Sequence, residues 1–214
     1  MTSVIPGGEY LTGALNAISQ SFLIPVIILL LVIIVATVII AGGLISEYTS
    51  RKNIPVTRIR DIIFDINKAE SSDEIKNIVE NSEIPNSQKK VLYEVADSSD
   101  LDHDNREALA RKLIEDEENK IDKTLEKTDI ITRVGPTLGL MGTLIPMGPG
   151  LAALGSGDIN TLADAIIVAF DTTVVGIGAG GLAYVISKIR KRWYEEYISD
   201  LDALVDSVLD FMKK

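Results

Sequence analysis

Four side chains near the C-terminal third of the chain are candidates for handling a small cation: Thr143, Asp171, Thr172 and Thr173. Each sits inside an apolar stretch. Such stretches in membrane anchors are ordinarily Leu, Ile, Val and Phe, yet these two are rich in Gly, Ala, Pro and Thr. The first runs from Gly135 to Gly157 and the second from Leu162 to Ser187. An ionised Asp at the centre of a membrane helix costs roughly 2.5–3.5 kcal/mol on insertion scales. Close packing does not require that cost, so Asp171 points to function. It can be held neutral by burial or can face water in a pore. A threonine hydroxyl has two readings: it can line an ion path, or it can satisfy itself on the carbonyl four residues back.

The elements that must position these groups are helices. Gly135, Gly139, Gly142, Pro146, Gly150 and Ala153 recur at steps of three and four and make one small-residue face. Ala165, Ala169, Thr173, Gly176, Gly180 and Ala183 make another. Small faces let helix backbones approach closely in lipid. Pro136, Gly139, Gly142, Pro146, Gly176 and Gly180 are therefore expected to pack these helices. Pro146 and Pro149 each remove a backbone N–H and leave a carbonyl that needs another partner.

The chain has 214 residues, 46% apolar and 24% charged. The two characters are segregated, as in a membrane protein with a polar portion. A net charge of −10 argues against nucleic acid as a partner. Cysteine is absent, which excludes a thiolate metal site. His103 lies in a polar run and reads as a solvated imidazole. The acids of Asp97–Asn105 lack the Gly and Glu that a calcium loop starting at Asp100 needs at its sixth and twelfth positions. No catalytic constellation, nucleotide motif, metal site or cofactor site is read, and no enzyme activity is expected.

A further apolar run, Ser21–Ser46, carries no charge and is long enough to cross a bilayer. The spans expected are 21–46, 130–156 and 162–187. Residues 1–20 precede them, 47–129 form a helical loop, 157–161 a short turn and 188–214 a C-terminal helix. The fold class is all-α: an integral membrane protein whose second and third spans extend into a helical cytoplasmic domain. Lys and Arg cluster after the first span, before the second and after the third. The positive-inside rule then puts the N-terminus and the 157–161 turn outside, with the loop and C-terminus cytoplasmic; with no targeting motif beyond the spans, the plasma membrane is the default location. Within the loop, Ile59, Ile62, Ile63 and Ile66 have a helical period after Pro55, Ser72 is a candidate cap, and Pro85 opens another helix. From Asn105 the pattern is helical into the second span without a break.

The runs Pro136-x-x-Gly139-Leu140-x-Gly142-Thr143 and Thr172-Thr173-x-x-Gly176, with the three-span layout, resemble the MotA/TolQ/ExbB proton-channel family, in particular its three-span TolQ/ExbB branch. The resemblance implies a homopentamer with a central pore. It also implies a single-span partner of ExbD/TolR/MotB type, carrying a membrane Asp, whose movement is driven by H+ or, in some members, Na+. Thr143 and Thr173 match the hydroxyl positions that face the partner's carboxylate. Many members carry Glu where this chain has Val168, and Asp171 follows three residues later. The expected function is a pore-forming subunit of an ion-motive-force-driven channel and motor. The alternative is a non-conducting oligomeric scaffold that recruits cytoplasmic partners.

Overall fold

The computed structural model describes residues 8–51 and 54–213. Among them every regular element is a helix: α1 (Gly8–Ser21), α2 (Leu23–Ser50), α3 (Val56–Lys68), α4 (Ser72–Asn81), α5 (Asn86–Ala96), α6 (His103–Gly155) and α7 (Ile159–Phe211). Three stretches are long and apolar enough to cross a membrane: Tyr10–Ser50, and those in α6 and α7. The protein is an all-α membrane protein. Its residues fall into two compact units, the described part of Met1–Glu47 with Glu126–Lys188, and Tyr48–Leu125 with Ile189–Lys214.

The second unit is a small helical domain. Its core is the apolar stripe of each helix: Ile59 and Ile66 from α3, Ile75 and Val79 from α4, and Val91, Leu92 and Val95 from α5. These meet Ala110 of α6 and Leu201, Leu204, Val205 and Val208 of α7. Pro55 precedes α3 and Pro85 precedes α5, where a missing N–H costs nothing. The cap of α4 is Ser71 rather than Ser72. Its hydroxyl accepts from the Glu74 N–H, and the Glu74 carboxylate accepts from the Glu70 N–H. His103 opens α6 and is half-buried, not a free surface imidazole.

Buried polar groups tie the ends of the two long helices into this core. Gln88 donates to the Tyr197 carbonyl at 2.9 Å. The Tyr197 hydroxyl lies 2.8 Å from Ser87 Oγ and 3.1 Å from Glu117 Oε2. Burial, with the Glu117 carboxylate adding to it, pushes that phenol up to about 12. The Arg106 guanidinium, 7% exposed, donates to the carbonyls of Ser98, Leu101 and Met212. Where the chain enters this unit, Arg51 donates to Glu196 at 2.9 Å and lies 5.0 Å over the Trp193 ring.

Asp200 on α7 is half-buried. Burial and the nearby Glu196 raise its carboxyl above the usual range, and Arg51 only partly opposes them. In the window between the unfolded value of about 3.9 and the raised folded value, the folded chain binds more protons than the unfolded one. Stability from this group is therefore lost as pH rises through that window. Asp200→Asn is expected to raise the thermal midpoint at neutral pH and to give no gain below pH about 3. Midpoints of both proteins across that range check the sign.

The first unit holds the spans. α2 is apolar on every side, and it buries Val26 and Leu30 against Leu138 and Ile145 of α6. Leu23, Ile33, Met141 and Val175 pack around that cluster. The α1–α2 junction keeps its hydrogen bonding: Phe22 N–H donates to Ser19 and Val26 N–H to Phe22. α6 stays helical through Pro136, Pro146 and Pro149. The turn into α7 uses Gly157 at φ 82°, the left-handed region where a side chain would be strained. Asp158 then caps α7, accepting from the Thr161 N–H at 3.1 Å and from its hydroxyl. Those bonds hold the Asp158 carboxyl below its ordinary range.

The candidate ion path on α6 and α7

α6 and α7 pack antiparallel along the two small-residue faces. A methyl group added to Gly176 would stand 2.5 Å from the Gly135 carbonyl oxygen and 2.8 Å from Gly139 Cα. One added to Gly180 would stand 2.7 Å from Pro136 Cδ, and one on Gly142 2.5 Å from Thr172 Cβ. Further along, Gly150 faces Ala165. The seam is therefore backbone on backbone, as small residues permit in lipid. At one end, Ser187 Oγ donates to Asp129 at 2.7 Å and joins the helices.

This register sets the height of the candidate residues. Gly142 meets Thr172 and Gly139 lies beside Thr173 Cα. Thr143, Asp171, Thr172 and Thr173 thus share one level of the helix pair. They do not share a side. Thr172 is 7% exposed, packs into the seam, and donates its hydroxyl to Val168 O at 2.9 Å. Thr173 and Thr143 are half-buried at the edges of the seam. Asp171 is exposed, among Ile167, Phe170 and Val174.

The helical angle sorts them further. Successive residues turn by about 100°. Val175, which packs toward α2, lies about 40° from Asp171 and about 160° from Thr173. On α6, Leu138, Met141 and Ile145 pack toward α2, and Thr143 lies about 140–160° from each. The two threonines therefore flank the seam together, on the side away from α2, and Asp171 lies on the α2 side. The fold groups Thr143 with Thr173. It does not bring Asp171 to them.

Each hydroxyl has spent its proton on its own helix: Thr143 donates to Leu140 O at 2.7 Å and Thr173 to Ala169 O at 2.9 Å. Their oxygen lone pairs remain, which suits accepting from a hydronium ion or joining a sodium shell. Rotation of the O–H about the Cβ–Oγ bond would let either hydroxyl donate to a carboxylate instead.

Two polar side chains outside the motifs also take up positions in this unit. Thr37 of α2 is 1% exposed and donates to Ile33 O at 2.8 Å. Gln20, at the end of α1, donates to Ile145 O at 3.0 Å. No periodicity in the sequence pairs Gln20 with Ile145. The available signal was Pro149, which identifies the Ile145 carbonyl as one that its own helix cannot satisfy.

The fold and this site define a multi-span helical membrane protein whose second and third spans form a glycine seam edged by hydroxyls. The chain belongs to the MotA/TolQ/ExbB proton channel family, whose model matches residues 71–203. That match reaches from α4 through most of α7, beyond the two motif-bearing spans, and leaves out α1–α3. No individual curated protein matches the chain.

Proposed function

We propose that this chain is the pore-lining subunit of a proton-driven motor complex, and that Thr143 and Thr173 line its ion path. The observation that carries this reading is their shared level and shared side, at the edge of a seam too tight to conduct. On this reading α2 stands on the lipid side of each subunit. Five copies turn the threonine side inward around one or two single-span partners, and the partner's membrane carboxylate meets the two hydroxyls. Ion passage at that contact moves one component against the other, with no cofactor and no catalytic step. Asp171 lies off this line, so the path is assigned to the threonines alone. The placement of Lys and Arg supports an external N-terminus and a cytoplasmic second unit, and the plasma membrane is the membrane this reading takes by default.

The test is the mass of the intact complex, extracted from native membranes in mild detergent. Five copies with one or two co-purifying single-span proteins, each with a membrane Asp, are expected. A monomer or dimer bound to soluble proteins would replace the motor reading with the scaffold.

A further inference from the structure

Three prolines interrupt the donor ladder of α6. In an α-helix the N–H of residue i serves the carbonyl of residue i−4. Pro149 has no N–H, so the Ile145 carbonyl loses its partner. Ile145 is 6% exposed and sits in the apolar cluster of α2 and α6. A carbonyl left bare in such surroundings is costly, because neither lipid nor aliphatic side chains can donate to it. The Gln20 amide stands 3.0 Å away and donates to it. Its neighbour Ser21 is engaged elsewhere, donating to Ala17 O within α1.

We propose that Gln20 is a positioning residue, whose side-chain amide replaces the backbone donor that Pro149 removes and so fastens the α1–α2 junction to α6. The bond joins residues far apart in sequence at the place where α6 has lost part of its own stiffness. Ile145 comes two residues after Thr143 and on the opposite face of α6, so the same bond holds the helix from behind at the level of the candidate path. That consequence rests on the assignment of Thr143 above; the hydrogen bond does not. The arrangement also accounts for a polar side chain at this height. Gln20 precedes the uncharged run Ser21–Ser46, yet it meets α6 near the middle of the apolar segment 130–156, where an unpaired amide would be unfavourable.

The experiment is a double-mutant cycle on the full-length complex in detergent, read as thermal midpoint and assembled yield. Gln20→Met keeps the length and loses the donor. It is expected to lower the midpoint by about 3–10 °C. Pro149→Ala returns a backbone N–H to Ile145 O. In that background, Gln20→Met is expected to leave the midpoint where Pro149→Ala alone sets it. If Gln20→Met prevents assembly, the double variant is expected to regain it. A midpoint unchanged by Gln20→Met would overturn the proposal. So would an equal loss in both backgrounds, which would show that Gln20 serves only to fill space. Neither readout requires conduction, so a failure here is separable from a failure of the motor reading.

Discussion

Gly176→Val is expected to abolish assembly of the membrane unit, while Gly178→Ala, two residues on, leaves it intact. The added β-carbon at position 176 would lie 2.5 Å from the Gly135 carbonyl oxygen, 2.8 Å from Gly139 Cα and 3.0 Å from Gly139 N. All three are backbone atoms, so no rotamer change relieves the overlap and the helices must separate. Overpacking a core with side chains on both sides costs typically 1–3 kcal/mol. A backbone-on-backbone seam gives less, so the cost here should lie above that range, comparable with the ~5 kcal/mol that is the whole stability of a marginally stable protein. At Gly178 a β-carbon meets nothing within 4 Å. Helix propensity even favours alanine there by about 1 kcal/mol. Assembled yield and thermal midpoint of the two variants decide the matter. Equal behaviour would mean that α6 and α7 do not meet along this seam.

The seam shows what the sequence makes legible and what it leaves out. Glycines at steps of three and four declare a close-packed face because only one side of a helix repeats that way. Both faces are legible, except that Thr173, expected within the second, lies at its edge and Thr172 takes the seam position; so are the three spans and the unbroken helices entering the second span and leaving the third. The side on which each hydroxyl falls was not visible. Thr172 and Thr173 are adjacent and chemically identical, yet one is locked against Gly142 and the other is left at the edge. That difference depends on which face of α7 meets α6, and on where α2 covers the pair. Asp171 stands out in the sequence for its carboxylate inside an apolar run, which says nothing of its side; about 160° of helical turn separates it from Thr173. α1 is not legible in the sequence, because residues 1–20 have too weak an apolar pattern to announce a helix. The Ser71 cap differs from the expected one by a single position: either serine can open α4, and it is Ser71 that has the extended backbone and accepts from the Glu74 N–H.

Thr173→Val is expected to cut ion flux by about 10–100-fold while the complex assembles normally, and Thr172→Val is expected to leave flux unchanged. Valine has nearly the shape of threonine, so neither change opens a cavity. The bonds lost within the chain are to carbonyls of the same helix, from Thr173 to Ala169 O and from Thr172, shared, to Val168 O and Ala169 O. Such back-bonding adds little to a helix. The two substitutions therefore cost similar, small amounts of stability, and stability cannot explain a difference in flux between them. Access can. An oxygen that accepts from a hydronium or meets a carboxylate contributes a charge-assisted bond, about 1.5–3 kcal/mol, which converts to the stated fold-change. Thr173 is at the edge of the seam and can offer that bond, whereas Thr172 is 7% exposed and faces Gly142. Thr143→Val should behave like Thr173→Val, because both hydroxyls lie on the side away from α2. The measurement is proton entry into liposomes holding the purified complex with its co-purified partner, followed by an internal pH dye. If Thr172→Val and Thr173→Val reduce flux alike, the path does not follow the edge of the seam. If only Asp171→Asn reduces it, ions pass on the α2 side and the threonines are there for packing.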